Sequence, residues 1–188
     1  MNNNPNFYLV IDLEATCDEN HRIPRAQTEI IEIGAVLVDA ETLTPVDEFS
    51  TFVKPVVHWK ITPFCTRLTS ITQADVDAAP TFREAITKLG RFVGGKDARF
   101  CSWGDYDRNQ FERDASRHGV KLPFRAGHLN LKKRFSEQLG ETESYGMAGA
   151  LRRVGLRLEG THHRGIDDAR NIARLLPWIL GRPRAAPR

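Results

Sequence analysis

The sequence is poor in the residues that staple small folds or hold soft metals. Its 188 residues include three cysteines, Cys17, Cys65 and Cys101, far apart and with no CxxC pair. A disulfide framework or a zinc–cysteine site is not expected from such spacing, and reduced thiols are. No apolar run approaches the ~20 residues of a membrane span, so no membrane partner is expected. The opening MNNNPN has neither a basic stretch nor an apolar one. No secretory signal is expected there, and the cytoplasm is the expected location. Familiar nucleotide and hydrolase signatures are missing: no GxGxxG, HExxH or GxSxG occurs. GRFVGGKD, residues 90–97, comes near a P-loop. It ends in Asp97 where a hydroxyl should hold the metal, and it follows a helix rather than a strand.

What is present suits a folded domain: 40% of residues are apolar and 27% charged. One domain is expected over residues 6–180, with residues 1–5 and 181–188 as flexible tails. The net charge of +3 conceals an asymmetry, since residues 1–107 carry −6 and residues 108–188 carry +9. Such a split fits an acidic site beside a surface for a polyanion, and it equally fits ordinary drift of surface charge.

The first 60 residues or so read as strands. FYLVIDLEAT (7–16), EIIEIGAVLVDA (29–40) and DEFSTFVKPV (47–56) follow one another over short connections, which predicts an antiparallel meander. Helix and strand then alternate. A helix begins after Thr81, with Glu84 completing a capping box. RFCSW (99–103) is a strand, followed by a helix from about Asp105 to His118 that Gly119 stops. HLNL (128–131) is a brief strand before a helix from Lys132 to Leu139. Further helices span 147–156 and Asp167–Leu180, with Pro177 kinking or ending the last. The expected fold is α/β, a mixed sheet in which a three-strand meander is joined by parallel strands and flanked by helices.

VIDLEATCDEN, residues 10–20, puts two acids into what otherwise reads as a buried strand. Side chains alternate faces along a strand, so Asp12 and Glu14 share Val10's face, while Ile11 and Leu13 point the other way. Two carboxylates ~7 Å apart along a strand can share a metal. Without a cation they are costly: like charges 4 Å apart repel by roughly 4 kcal/mol at an effective dielectric of 20. The plainer alternative is that Glu14 lies in water at the strand end. A calcium loop starting at Asp12 fails, because its sixth position is Cys17 rather than Gly and its twelfth is Ile23 rather than Glu.

Two further segments offer inward acids. The last helix has an apolar stripe at Ile172, Leu175, Leu176 and Ile179, and Asp168 lies four residues before Ile172 on that stripe. Asp167 is rotated about 100° away and fits helix-dipole stabilisation. His163 stands in the preceding loop, where Gly165 allows a sharp turn. In SWGDYDRNQF (102–111), Asp105 reads as the N-cap, while Asp107, four residues before Phe111, faces inward. Four acids without a Cys or multiple-His cage suit hard cations, Mg²⁺ or Mn²⁺. Two such ions can clamp a phosphodiester, and a histidine that titrates near neutrality can take a water proton.

DLEAT, the Asp107 segment and the spacing of four residues between His163 and Asp168 resemble the DEDD exonucleases, in the histidine-bearing (DEDDh) branch. DLEATCDEN, EIIEIGAVLVD, FCTRLTSIT and GIDDARNIARLL are similar to the group around the histone-mRNA 3′-end exonuclease. The resemblance covers about residues 6–180 and implies a ribonuclease H-like fold. It implies stepwise hydrolysis from the 3′ end of single-stranded nucleic acid, RNA before DNA, releasing nucleoside 5′-monophosphates. Asp12, Glu14, Asp107 and Asp168 match the acids that bind two divalent cations, with Glu14 also placed to orient water or the terminal nucleotide. His163 matches the general base; His162 and Asp105 are the neighbouring rivals. Ala15, Thr16, Phe64, Leu68, Thr69, Tyr106 and His163 match positions at the terminal nucleotide, although core packing also explains Phe64 and Leu68. Some relatives carry an extra nucleic-acid-binding domain, and none is expected within these 188 residues. Lys132, Lys133, Arg134, Arg152, Arg153 and Arg157 are candidates for a phosphate track in its place, or simply a solvated helix face. Alternatives are a DNA proofreading or repair nuclease, and a non-catalytic module that binds nucleic acid.

Overall fold

The computed structural model describes residues 5–20, 22–124 and 127–182. The expected tails therefore fall largely outside the described residues. Five strands form one sheet in the order β3-β2-β1-β4-β5. They are β1 (Phe7–Ala15), β2 (Ile30–Asp39), β3 (Pro45–Phe52), β4 (Ala98–Ser102) and β5 (Leu129–Asn130). The first three form the expected antiparallel meander, β4 runs parallel to β1, and β5 runs parallel to β4. Seven α-helices accompany them: α1 (Pro63–Thr69), α2 (Gln73–Asp77), α3 (Phe82–Val93), α4 (Tyr106–His118), α5 (Leu131–Leu139), α6 (Met147–Arg153) and α7 (Gly165–Ile179).

Alternation along β1 sorts its side chains into two cores. Tyr8 and Val10 pack with α5, α6 and α7 through Phe135, Leu151 and Ile172. Leu9, Ile11 and Leu13 pack with α3 and α4 through Phe82, Leu89 and Phe111. The strand β2 is covered on both sides and is buried from Ile30 to Val38. Thr81 and Glu84 form the predicted capping box on α3, with the Glu84 carboxylate 2.8 Å from the Thr81 N–H.

Several boundaries differ for physical reasons. The strand β3 ends at Phe52 rather than 56: the Lys54 N–H turns to the Pro80 carbonyl at 2.9 Å, and the Glu29 carboxylate takes the N–H groups of Val56, Val57 and His58 at 2.7–3.1 Å. The short helices α1 and α2 were not predicted; each is capped by a threonine, Thr62 and Thr72. Asp105 occupies the N-cap of α4 without capping it. Its carboxylate instead accepts from Asn130 at 3.0 Å. The helix α7 starts two residues before Asp167 and continues past Pro177 to Ile179, so Pro177 does not end it. No described helix is long and apolar enough to cross a membrane.

Candidate active site

The site lies where two parallel strands part. The pairing of β1 with β4 stops at Val10 and Cys101. Beyond it, the Leu13 N–H has no β4 partner and donates to the Asp107 carboxylate at 3.1 Å. Asp107 thus completes the abandoned ladder from the first turn of α4, and it is 4% exposed. Asp12 and Glu14 project from the adjoining stretch of β1, on the face that α7 covers.

The helix α7 delivers Asp168. It approaches β2 so closely that a Cβ on Gly34 would meet the Gly165 carbonyl carbon at 2.0 Å. Only glycine at position 34 allows that contact, and a Cβ on Gly165 would itself be tight, 3.1 Å from the Asp12 carbonyl oxygen and the Gly34 nitrogen. Buried Glu32 fixes the helix start, accepting the Gly165 N–H at 2.9 Å and the Arg164 guanidinium at 3.1 and 3.2 Å. Asp168 in turn holds the loop above it, accepting the His163 N–H at 2.9 Å. The His162 Nδ1 stands 3.0 Å from the same oxygen.

These segments enclose a cleft of about 400 Å³ lined by Asp12, Glu14, Asp107, Asp168, His162 and His163. Ala15, Leu68 and Tyr106 also line it, with Tyr106 and Leu68 each 37% exposed. The other three expected pocket residues do not reach it. Thr16 is buried, and its hydroxyl accepts the Glu29 N–H. The Thr69 hydroxyl donates to the Cys65 carbonyl and accepts from Ile71. Phe64 is half-buried outside the cleft.

Burial and mutual repulsion dominate the electrostatics. Burial raises Asp12 well above the usual carboxylate range, and Asp107, Glu14, Asp168 and Glu32 add to this. Burial pushes Glu14 up to about 8, helped by Asp168 and Glu32. Asp107 rises to about 7, again through burial, with the Leu13 N–H opposing. Among the described residues no lysine or arginine pairs with these three acids, whereas buried Glu32 and Asp114 each have an arginine. An oxygen-only, uncompensated cluster fits hard divalent cations. Burial and His162 lower the His163 pKa, and Asp168 partly opposes them.

A pH dependence follows. Without metal, the native carboxyls of Glu14 and Asp107 keep their protons to about 8 and 7. The unfolded chain releases its carboxyl protons near pH 4. The native state then binds more protons across this window, and stability falls as pH rises through it. In EDTA the melting temperature should drop from pH 5 to pH 8. Saturating Mn²⁺ should recover about 5–10 °C at pH 8 and less at pH 5.5, the scale of ligand at 100 Kd in a domain of this size. A flat profile in EDTA would contradict the assignment.

The Exonuclease (RNase_T) family model matches residues 9–176. The chain belongs to the exonuclease family. Within it the chain stands in the DEDDh 3′–5′ group, and membership implies divalent metal ions. Mouse ERI1 exoribonuclease 3 is 32% identical over 186 residues, spanning 94% of this chain and 54% of that protein. The probable 3′-5′ exonuclease KapD of Bacillus subtilis is 30% identical over 176 residues, 93% of this chain and 84% of that one. The solved nuclease domain of 3′hExo, a DEDDh family member bound to rAMP, is similar at a TM-score of 0.88 and 28% identity. That match covers 96% of this chain and 94% of the solved one. The chain thus spans about half the length of the ERI1 relatives that it matches.

This DEDDh chain has further residues at the site that its motifs do not mark. Trp103, Met147 and Cys17 line the cleft. Glu32 and Arg164 brace α7, and the signal for Glu32 was available: it is an acid inside an apolar strand, as Asp12 is. The candidate phosphate track is partly neutralised, since Lys133 and Arg134 face Glu137 and Arg153 faces Glu141. Among the described residues, Lys132 and Arg152 have no such ion pair; Lys132 lies beside Gly104.

Proposed function

We propose that the protein is a metal-dependent 3′→5′ exonuclease acting on single-stranded RNA and releasing nucleoside 5′-monophosphates. The observation that carries this reading is the meeting of Asp12, Glu14, Asp107, Asp168 and His163 on one cleft. Relatives named exoribonucleases support RNA over DNA. The four acids would hold two divalent cations, Mg²⁺ or Mn²⁺. When bound, these supply the positive charge that stabilises the attacking and leaving oxygens of an in-line displacement.

The chain's own groups do the rest. His163, neutral at pH 7 through its lowered pKa, takes the proton of the attacking water. Asp168 holds the loop that presents it. Tyr106 offers an aromatic wall to the terminal base, with the Arg25 guanidinium 5.4 Å from its ring centroid. Burial raises the Tyr106 phenol to about 12, so it stays neutral and acts as a surface rather than as a base. Leu68 and Ala15 supply apolar contact. The three free thiols support a reducing, cytoplasmic location.

His163→Ala tests the base assignment. It should lower kcat at pH 7 by about 10²–10⁴-fold, the usual contribution of a positioned acid or base, with Mn²⁺ affinity unchanged. A collapse of Mn²⁺ affinity would make the histidine a ligand of that ion and overturn the role.

A further inference from the structure

We propose that His128 is a positioning residue for the metal-binding acid Asp107, acting through the Ser102 hydroxyl. The inference rests on the metal-dependent reading above and adds a support to that site rather than a second site. Ser102 ends β4 and is fully buried. Its hydroxyl stands 2.8 Å from His128 Nε2 and 3.0 Å from the Gly104 carbonyl oxygen. It also hydrogen-bonds to the Asp107 carboxylate, favouring the charged form that burial opposes. His128 comes just before β5, whose Asn130 pairs with Ser102. Its ring lies against Phe100, centroids 4.9 Å apart, and its side chain is 6% exposed.

Counting protons gives the direction of the bonds. A hydroxyl has one proton to give and two lone pairs. As a metal ligand Asp107 is ionised, so it and the Gly104 carbonyl can only accept. The Ser102 proton serves these oxygens, and His128 donates to Ser102 from Nε2. In the other tautomer Ser102 would give its proton to the imidazole and turn bare lone pairs toward two buried oxygens, which is costly. Ser102, His128 and Asp105 match a nucleophilic triad in residue types alone. Ser102 is closed to substrate, and Asp105 lies 3.7 Å from His128 Nδ1, beyond hydrogen-bond reach, with Asn130 as its donor. The Leu13 N–H on β1 and the Ser102 hydroxyl on β4 thus hold the Asp107 carboxylate between the two strands that part at the site. Mg²⁺ and Mn²⁺ sites depend on such fixed ligand orientation.

The test compares His128→Phe, which keeps a ring against Phe100 without a donor, with His128→Gln, whose amide N–H can reach the same hydroxyl. His128→Phe should weaken Mn²⁺ binding in calorimetry by about tenfold or more. It should lower kcat by a similar factor and leave KM for single-stranded RNA unchanged. His128→Gln should restore most of both. Ser102→Ala should cost as much as His128→Phe, and the double variant no more than either, because the two side chains act as one unit. Ser102→Ala also carries the test if His128→Phe fails to fold. Nitrogen NMR should find the His128 ring proton on Nε2. Unchanged Mn²⁺ affinity in both single variants would overturn the proposal. So would a loss that His128→Gln does not rescue, a ring proton confined to Nδ1, or a parent protein that binds no Mn²⁺. Absence of cleavage with the Mn²⁺ effects as expected would count against the exonuclease reading alone.

Discussion

Replacing Asp12 by asparagine is expected to abolish hydrolysis and, at the same time, to raise the melting temperature of the metal-free protein. Asp12 lies among Asp107, Glu14, Asp168 and Glu32, all of which oppose its ionisation, and burial opposes it further. Asparagine keeps the shape and removes the charge. Activity should fall by about 10²–10³-fold or more, the scale on which loss of one group that stabilises transition-state charge is felt. Such a contact costs up to roughly 4 kcal/mol at 4 Å and an effective dielectric of 20, and even about 1 kcal/mol of relief is roughly 2–4 °C in a domain of this size. The variant should also lose most of the stabilisation that Mn²⁺ confers at pH 8. A variant that is both inactive and less stable would show that Asp12 serves the fold. Unchanged turnover would remove it from the metal set.

Gly34→Ala should have the largest effect on stability. Its Cβ would meet Gly165 C at 2.0 Å, Ile166 N at 2.2 Å and Gly165 O at 2.3 Å. All three are backbone atoms, so no side chain can rotate away. The helix α7 must lift from β2, and it carries Ile172, Leu175, Leu176 and Ile179, all fully buried. Overpacking of this kind costs about 3 kcal/mol or more, a fall of roughly 6–12 °C in melting temperature. The same shift moves Asp168 away from Asp12, so activity of the folded fraction should fall as well. Thermal unfolding with a parallel cleavage assay reads both effects. A melting temperature within a degree or two of the parent would show that the helix can slide without loss.

Much of this was legible in the residues. Period-two alternation marked the meander, and the acids stood out because an inward charge needs a partner, while His163 drew notice from its loop just before Asp168 and from the family resemblance. Their meeting in one cleft is a property of the tertiary fold, which brings strand β1 and the starts of α4 and α7 together. The short helices were missed because α1 and α2 have seven and five residues, too few for a periodic stripe. Thr16 and Thr69 matched pocket positions by resemblance, yet their hydroxyls are taken by Glu29 and by Cys65 and Ile71. Such local side-chain bonding leaves little trace in spacing. Glu29 and Glu32 stood in the sequence as acids at an apolar strand, but their partners lie far along the chain. Three loop amides 27–29 residues away compensate Glu29, and an arginine 132 residues away compensates Glu32, and such distant partners leave no local pattern.

The most direct test of the central claim is a time course on matched 5′-labelled single-stranded RNA and DNA, with Mg²⁺ or Mn²⁺, an EDTA control and Asp12→Asn as background. The account predicts a ladder that shortens from the 3′ end, faster on RNA, and is lost both in EDTA and in Asp12→Asn. A faster DNA ladder would keep the chemistry and move the substrate to DNA. Binding without cleavage of either strand, or cleavage that persists in EDTA, would contradict the claim that these acids hold the ions on which hydrolysis depends.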